Sequence, residues 1–124
     1  MKSLWIETTK DEIILNPLEK EKETEICIIG GGLFGLTTAY YLTQQGKKVI
    51  VLEKGEIGEK VSGNTTGKIT SQHGLFYEHL ISDYGKEYAK KYLEANEEAI
   101  ENIKEIVKKE QIECELNMQN AYVY

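Results

Sequence analysis

Three glycines with the spacing Gly30-x-Gly32-x-x-Gly35 are the residues whose pattern says most about chemistry. Glycine at the first position permits a tight turn, and glycine at the second lets the backbone approach a bound group where a β-carbon would collide. Glycine at the third lets a following helix pack closely on a preceding strand. The N-terminus of such a helix attracts phosphate through its unpaired N–H groups and partial positive charge. The spacing therefore predicts a loop that holds the pyrophosphate of a dinucleotide.

An acidic residue, Glu53, supplies the second half of this pattern. It follows Gly35 by 18 residues, counted from 35 to 53. A carboxylate at this distance can accept hydrogen bonds from the two ribose hydroxyls of an adenosine. Its charge would also repel a 2′-phosphate, which disfavours a ligand of the NADP type.

The elements that must position these residues follow in the order strand, helix, strand. The run Ile26–Ile29 is continuously apolar, which predicts a strand buried on both faces of a parallel sheet. A helix is expected from about Leu33 to Gln45, and Gly46 should close it by adopting a positive φ. A second buried strand is predicted at Val49–Leu52. This order predicts an α/β fold with a Rossmann-like βαβ unit that binds FAD or NAD(P).

The rest of the chain is expected to be a long loop, two helices and a hairpin. Residues 55–74 are rich in Gly, Ser and Thr, and a loop of this length is usually functional. Helices are predicted at about 75–84 and 86–110, and residues 111–116 and 121–124 alternate as strands of a hairpin do. Apolar residues of the longer helix recur at spacings of three and four, which predicts one stripe packed against a sheet. The stripe consists of Tyr88, Tyr92, Ala95, Ala99, Ile103 and Ile106.

Composition excludes several classes of partner and site. The formal net charge of -6 disfavours nucleic acid, and no apolar run reaches the length needed to span a bilayer. The N-terminus lacks the apolar core of a signal peptide, so we expect a cytoplasmic protein. The two cysteines, Cys27 and Cys114, are expected to be buried. With no CxxC pair and two histidines, we expect no metal site.

A wider segment resembles one protein family. Residues 30–54, GGGLFGLTTAYYLTQQGKKVIVLEK, resemble the pattern GGGxxGxxxAxxLxxxGxxVxxLEK of the FAD-dependent oxidoreductases related to D-amino-acid, glycine and sarcosine oxidases. Residues 62–70, SGNTTGKIT, resemble the family's segment that wraps the pyrophosphate and the flavin end, and hydroxyl and N–H groups suit that role. The resemblance implies FAD as the cofactor. The motif and the resemblance together assign to cofactor binding Gly30, Gly31, Gly32, Leu33, Phe34, Gly35, Glu53, Lys54, Thr65, Thr66, Gly67 and Lys68.

The resemblance also implies a domain organisation. Residues 1–24 would be a lead-in, residues 25–74 the FAD-binding βαβ unit with its loop, and residues 75–124 the start of a substrate domain. Residues 3–9, SLWIETT, together with residues 65–74, TTGKITSQHG, are similar to a bacterial branch whose longer members end in a Rieske iron–sulfur domain. In the family later strands complete the sheet, so we expect an incomplete chain whose unfinished sheet favours self-association.

Two functions stay open on these grounds. The first is the N-terminal segment of a flavin enzyme that oxidises a small-molecule amine or amino acid by hydride transfer to FAD, the 124-residue chain alone being inactive. The second is a non-catalytic module that binds NAD or FAD and acts through a partner. His73, at the end of the loop, is similarly open to two interpretations, because it could cap or precede the next helix or lie near a flavin. The sequence assigns no catalytic residue.

Overall fold

The computed structural model describes residues 3–8 and 15–122. The chain forms two compact units, Met1–Thr66 and Gly67–Tyr124, and each is described here by itself. Among the described residues, no helix is both long and apolar enough to cross a membrane.

The first unit is built on the predicted βαβ arrangement. After a short helix α1 (Leu4–Thr8), the strand β1 (Ile26–Ile29) leads into the helix α2 (Leu33–Gln44), and the strand β2 (Val49–Leu52) follows. The two strands pair in parallel, with Ile26 opposite Val49 at the start of the register. Gly46 closes α2 with a φ of +78°, as predicted. The βαβ prediction is therefore confirmed within one residue at each boundary.

The expected burial of β1 on both faces was wrong. Ile26 and Ile28 are partly covered, whereas Cys27 is exposed and Ile29 is 89% exposed. Successive side chains of a strand point to opposite faces, and α2 packs on the face that carries Ile28. Because no element comparable to α2 covers the other face within the described residues of the first unit, Cys27 is not the core residue that the apolar run suggested.

Two segments of the first unit are more ordered than the sequence predicted. The lead-in, for which the sequence predicted no helix, contains α1, whose Glu7 N–H donates to the Ser3 carbonyl over 3.0 Å. The segment after β2, expected to be a loop throughout, contains a 3₁₀ turn at Ser62–Asn64. Both elements are short, and such single turns leave little periodic signal in a sequence.

The second unit is a pair of helices, close to prediction. The helix α3 (Phe76–Tyr84) is separated from the helix α4 (Lys86–Lys109) by Gly85, whose φ is +84°. The two helices pack on each other, and Leu80 and Ala89 are the buried apolar residues.

The predicted stripe of α4 is only partly correct. Tyr92, Ile103 and Ile106 are partly buried, but Tyr88, Ala95 and Ala99 are exposed. The covered face instead continues through Ala89 and Ile100, and within its unit the helix packs on α3 rather than on a sheet. Tyr88 stacks at the surface on Tyr84, with ring centroids 5.0 Å apart.

The predicted hairpin is absent from residues 111–122, which contain no strand. Gln111 and Glu115 have φ values of +53° and +50°, so the backbone turns where an extended strand was expected. Cys114, expected to be buried, is exposed on this segment. Val123 and Tyr124, the end of the predicted second strand, lie outside the described residues.

Candidate dinucleotide-binding site

The glycine loop turns as its spacing requires. Gly30 has a φ of +111°, a region that favours glycine, and its N–H donates to the Leu52 carbonyl over 2.7 Å. A β-carbon on Gly35 would overlap the carbonyl oxygen of Gly30 and come within 3.3 Å of Ile28 Cγ2. Glycine at position 35 is therefore needed for α2 to approach β1 this closely.

The middle glycine, Gly31, ties the loop to the segment after β2. Its N–H donates to Glu53 Oε2 over 2.9 Å, and its carbonyl accepts the Gly58 N–H over 3.0 Å. A β-carbon here would lie 3.0 Å from Ile57 Cγ1 and 3.1 Å from Glu53 Cβ. Gly31 is thus fixed by packing against the protein itself, a role that the spacing of the motif does not reveal.

Glu53 organises both sides of this junction. Besides the Gly31 N–H, its carboxylate accepts the Gly55 N–H and Lys60 Nζ, each at 3.0 Å. The side chain is 12% exposed. The hydrogen bonds from Gly31, then Gly55 and Lys60, lower the pKa of Glu53 to about 2, so the carboxylate is charged at neutral pH.

The three donors limit what Glu53 can offer a ligand. A carboxylate has about four acceptor directions, so one remains while all three donors stay in place. Lys60 is the donor that can withdraw, because its side chain is 55% exposed and flexible, whereas the two N–H groups belong to the backbone. The site therefore offers one acceptor to a ribose hydroxyl, and a second when Lys60 moves away.

A serine that the sequence analysis left out of the site lies at the N-terminus of α2. Ser62 Oγ accepts the Leu33 N–H over 2.9 Å and lies 3.3 Å from the position of a β-carbon on Gly32. The first N–H groups of a helix have no partner within the helix, and an oxygen at this point satisfies one of them. The hydroxyl thus marks a position where a phosphate oxygen would be favourable. The sequence placed Ser62 in a hydroxyl-rich segment, but nothing in the segment singles out this hydroxyl.

A cleft of about 670 Å³ opens beside the glycine loop. Its rim is apolar and exposed, with Phe34 88% exposed and Val61 87% exposed. The cleft is lined by Ile28, Ile29, Gly30, Gly32, Leu33, Phe34, Gly35, Val61, Ser62 and Thr65. Five of the predicted cofactor-binding residues in the loop and helix, together with Thr65, therefore surround one open space.

The helix α1 contacts the segment that carries Ser62. The Trp5 Nε1–H donates to the Thr65 carbonyl over 2.7 Å. The side chain of Ile6 lies against Gly63, where a β-carbon would approach Ile6 Cδ1 to 3.3 Å. The sequence analysis gave α1 no part in the site.

The remaining predicted residues are Lys54, Thr66, Gly67 and Lys68. Lys54 is exposed just after β2, and Thr66 is exposed at the end of the first unit. Gly67, with a φ of +71°, and Lys68, which is exposed, belong to the second unit. All cofactor contacts assigned from the sequence remain predictions.

His73 also belongs to the second unit, where it precedes α3. Its carbonyl accepts the Phe76 N–H over 3.3 Å, which matches the interpretation that it leads into the helix. Its ring meets those of Phe76 and Tyr92 edge to face, with centroids 6.4 Å and 6.2 Å apart. The residue is thereby part of an aromatic cluster.

The first unit fits the ADP half of FAD. The glycine loop turns in a conformation that larger residues adopt poorly, a helix N-terminus faces an open cleft, and a charged carboxylate lies at the tip of β2. These are the features that hold the pyrophosphate and the ribose of a dinucleotide. Within the described residues, no group of three or more His, Cys, Asp or Glu side chains is placed to hold a metal ion.

Comparison with known proteins identifies the family. A family model described as FAD dependent oxidoreductase matches residues 25–124. The chain therefore belongs to the FAD-dependent oxidoreductases, as the resemblance predicted, and FAD is the cofactor of that family. The family implies a Rossmann-like FAD-binding fold, of which the βαβ unit is the part seen here.

Relatives include several bacterial proteins. YhfW of Bacillus subtilis (strain 168), whose name describes a Rieske 2Fe-2S iron-sulfur protein, is 42% identical over 107 residues, 86% of this chain and 21% of that protein. OrdL of Haemophilus influenzae, named an oxidoreductase, is 30% identical over 115 residues, 93% of this chain and 27% of that protein. Gamma-glutamylputrescine oxidoreductase of Escherichia coli (strain K12) is 30% identical over 99 residues, 80% of this chain and 23% of that enzyme.

The chain thus spans between 21% and 27% of the length of these relatives. No solved structure matches it significantly.

Proposed function

We propose that the first unit binds the ADP half of FAD, as the cofactor-binding segment of an oxidoreductase. The pyrophosphate lies over residues 30–35 at the N-terminus of α2, and the adenosine ribose is bound at Glu53. The observation that carries this proposal is the junction at Gly31. It holds the phosphate loop and the charged Glu53 carboxylate together through a hydrogen bond of 2.9 Å.

For the whole enzyme we propose oxidation of an amine or amino acid. The names of two relatives support this class, since one is a gamma-glutamylputrescine oxidoreductase and another, of Bacillus licheniformis, is a glycine oxidase. Bound FAD would accept the hydride, and the residues described here would hold its nucleotide end and keep its phosphates neutralised. The residues that contact the substrate are not assigned, and the second unit is proposed as the start of the domain that carries them.

Nucleotide binding by the 124-residue chain tests the proposal directly. Calorimetric titration should show that ADP, NAD and FAD bind competitively. NADP should bind at least about tenfold more weakly than NAD, because its 2′-phosphate would face the charged Glu53. FAD should bind the isolated chain weakly, because the cleft of the first unit is too open to enclose the flavin ring.

Gly32→Val is the decisive variant. Its side chain would fill the space over the loop and press on Ser62 Oγ, so we expect ADP affinity to fall below detection. Gly46→Ala controls for general destabilisation, since it strains a glycine with a φ of +78° at the far end of α2, where a β-carbon meets nothing within 4 Å. Undiminished ADP binding by Gly32→Val, or equal affinities for NAD and NADP, would contradict the proposed site.

A further inference from the structure

The helix α1 lies outside the part of the chain that the family model matches, which begins at residue 25. We propose that α1 fixes the 3₁₀ turn Ser62–Asn64 against the N-terminus of α2, and that Trp5 is a positioning residue for the nucleotide phosphates. This inference rests on the proposed binding of a dinucleotide by the first unit.

The contacts form a chain from α1 to the phosphate loop. Trp5 Nε1–H donates to the Thr65 carbonyl over 2.7 Å, directly after the 3₁₀ turn. Ile6 packs on Gly63 within the turn. One residue before Gly63, Ser62 Oγ accepts the Leu33 N–H at the start of α2 over 2.9 Å. The turn is therefore held on one side by α1 and on the other by the helix that faces the phosphates.

Within the first unit, local bonding alone holds this turn weakly. Its two 3₁₀ hydrogen bonds are long. The bond from the Asn64 N–H to the Val61 carbonyl measures 3.2 Å, the upper end of the usual range, and the bond from the Thr65 N–H to the Ser62 carbonyl measures 3.4 Å, beyond that range. Asn64 Nδ2 adds hydrogen bonds to the Glu59 and Lys60 carbonyls, all within the same segment. The bond from Leu33 to Ser62 Oγ connects the turn to α2, and the contacts with α1 connect it to a second separate element, since Trp5 and Thr65 are 60 residues apart in the chain.

Phosphate binding should consequently depend on Trp5, which lies outside the glycine motif and acts through the position of Ser62. Ser62 Oγ occupies the position at the N-terminus of α2 where a phosphate oxygen is favourable. Its exact position therefore determines whether the hydroxyl forms a hydrogen bond to the phosphate or excludes the phosphate from this place. With the turn fixed by Trp5, the hydroxyl can rotate toward a phosphate oxygen as a donor while the backbone stays in place. When the turn is not held by Trp5, the Ser62 hydroxyl must become ordered as the ligand binds, and this ordering lowers the affinity.

The test compares Trp5→Phe, Trp5→Ala and Leu4→Ala in the 124-residue chain. Trp5→Phe keeps an aromatic ring and removes the N–H donor, whereas Trp5→Ala removes both. Leu4, in the same helix, is 65% exposed and serves as the control. ADP affinity is measured by calorimetry, and amide hydrogen exchange is followed at Leu33 and at Ile50, whose N–H faces β1 in the parallel register.

We expect ADP to bind about fivefold more weakly to Trp5→Phe, as for loss of one hydrogen bond, and about tenfold or more weakly to Trp5→Ala. Leu4→Ala should stay within about twofold of the wild type. Exchange at the Leu33 amide should accelerate in both Trp5 variants while exchange at Ile50, in the sheet, does not change, which separates local release of the turn from general destabilisation.

Wild-type affinity in Trp5→Ala, or equal acceleration at Leu33 and Ile50, would overturn the role of Trp5 and leave the dinucleotide site standing. If the wild-type chain itself binds neither ADP nor FAD, the proposed function fails, and the role of Trp5 in phosphate binding fails with it.

Discussion

Each of the two units of this chain is stabilised internally, and the interactions that do so differ between them. In the first, backbone groups and glycines determine the geometry, since Gly31 is bonded to both Glu53 and Gly58 and Gly35 lets α2 reach β1. In the second, side chains do so, because the rings of His73, Phe76, Tyr77 and Tyr92 pack at centroid distances of 5.5–6.4 Å. Small residues in the first unit leave the cleft beside the glycine loop open, whereas large rings fill the space within the second unit.

The largest effect expected from this difference is that of Gly35→Val in the first unit. Its β-carbon would overlap the Gly30 carbonyl oxygen, a backbone atom that cannot move without opening the loop. We expect a loss of more than about 3 kcal/mol in the free energy of unfolding of the first unit. Urea denaturation followed at the backbone amides of that unit measures it. Gly46→Ala should cost about 1–2 kcal/mol, because it brings only the strain of a positive φ. Equal costs would show that close packing at position 35 does not matter.

The second unit should respond to the loss of a ring instead. Tyr92→Ala removes the ring that touches His73, Phe76 and Tyr77, and we expect a loss of about 2–3 kcal/mol in helix-pair stability. Tyr84→Ala, at a position 66% exposed, should cost less than about 1 kcal/mol. Urea unfolding followed by circular dichroism measures both. A matching loss in the two variants would mean that the aromatic cluster does not stabilise the unit.

The charged junction of the first unit predicts a dependence on pH. The pKa of Glu53 is lowered from 4.5 to about 2, so its stabilising effect is fully present above about pH 4.5 and is lost as the pH falls toward 2. The difference in unfolding midpoint between wild type and Glu53→Gln should therefore be constant near neutral pH and shrink between pH 4.5 and 2. Glu19→Gln, in the exposed lead-in, controls for the loss of one negative charge. A difference that persists unchanged to pH 2 would exclude this role for Glu53.

The smallest expected effect comes from one hydroxyl in the second unit. The Tyr77 hydroxyl donates to the Ser71 carbonyl over 2.6 Å, and burial, with Tyr92 and Glu97 nearby, raises the pKa of Tyr77 above 10.0. Tyr77→Phe should therefore lower the free energy of unfolding by about 1 kcal/mol at neutral pH. Tyr84→Phe, at an exposed position, should change it by no more than about 0.5 kcal/mol. Indistinguishable urea midpoints for the two variants would show that the hydroxyl contributes nothing.

The sequence predicted those elements whose signals are local. The strand β1, the glycine turn and the helix α2 are encoded by residues that are neighbours in the chain, and their boundaries agree with prediction within one residue. The hairpin after residue 110 was wrong, because alternation alone supplies no partner and the backbone turns at Gln111 and Glu115. The stripe on α4 was wrong at Tyr88, Ala95 and Ala99, which are exposed. The spacing of apolar residues alone did not show that the covered face runs through Ala89 and Ile100 instead.

By itself, the sequence determined that a strand, a tight glycine turn, a helix and a second strand follow in order, and that an acid ends the second strand. Tertiary structure alone decided that Ser62, 29 residues from Leu33, is the hydroxyl at the helix N-terminus, and that Trp5 bonds a carbonyl 60 residues away. It also decided that Glu53 already holds Gly31, Gly55 and Lys60. The physical reason is that turns and helices follow from local torsional preferences, whereas pairings across long stretches depend on how the packed elements route the chain.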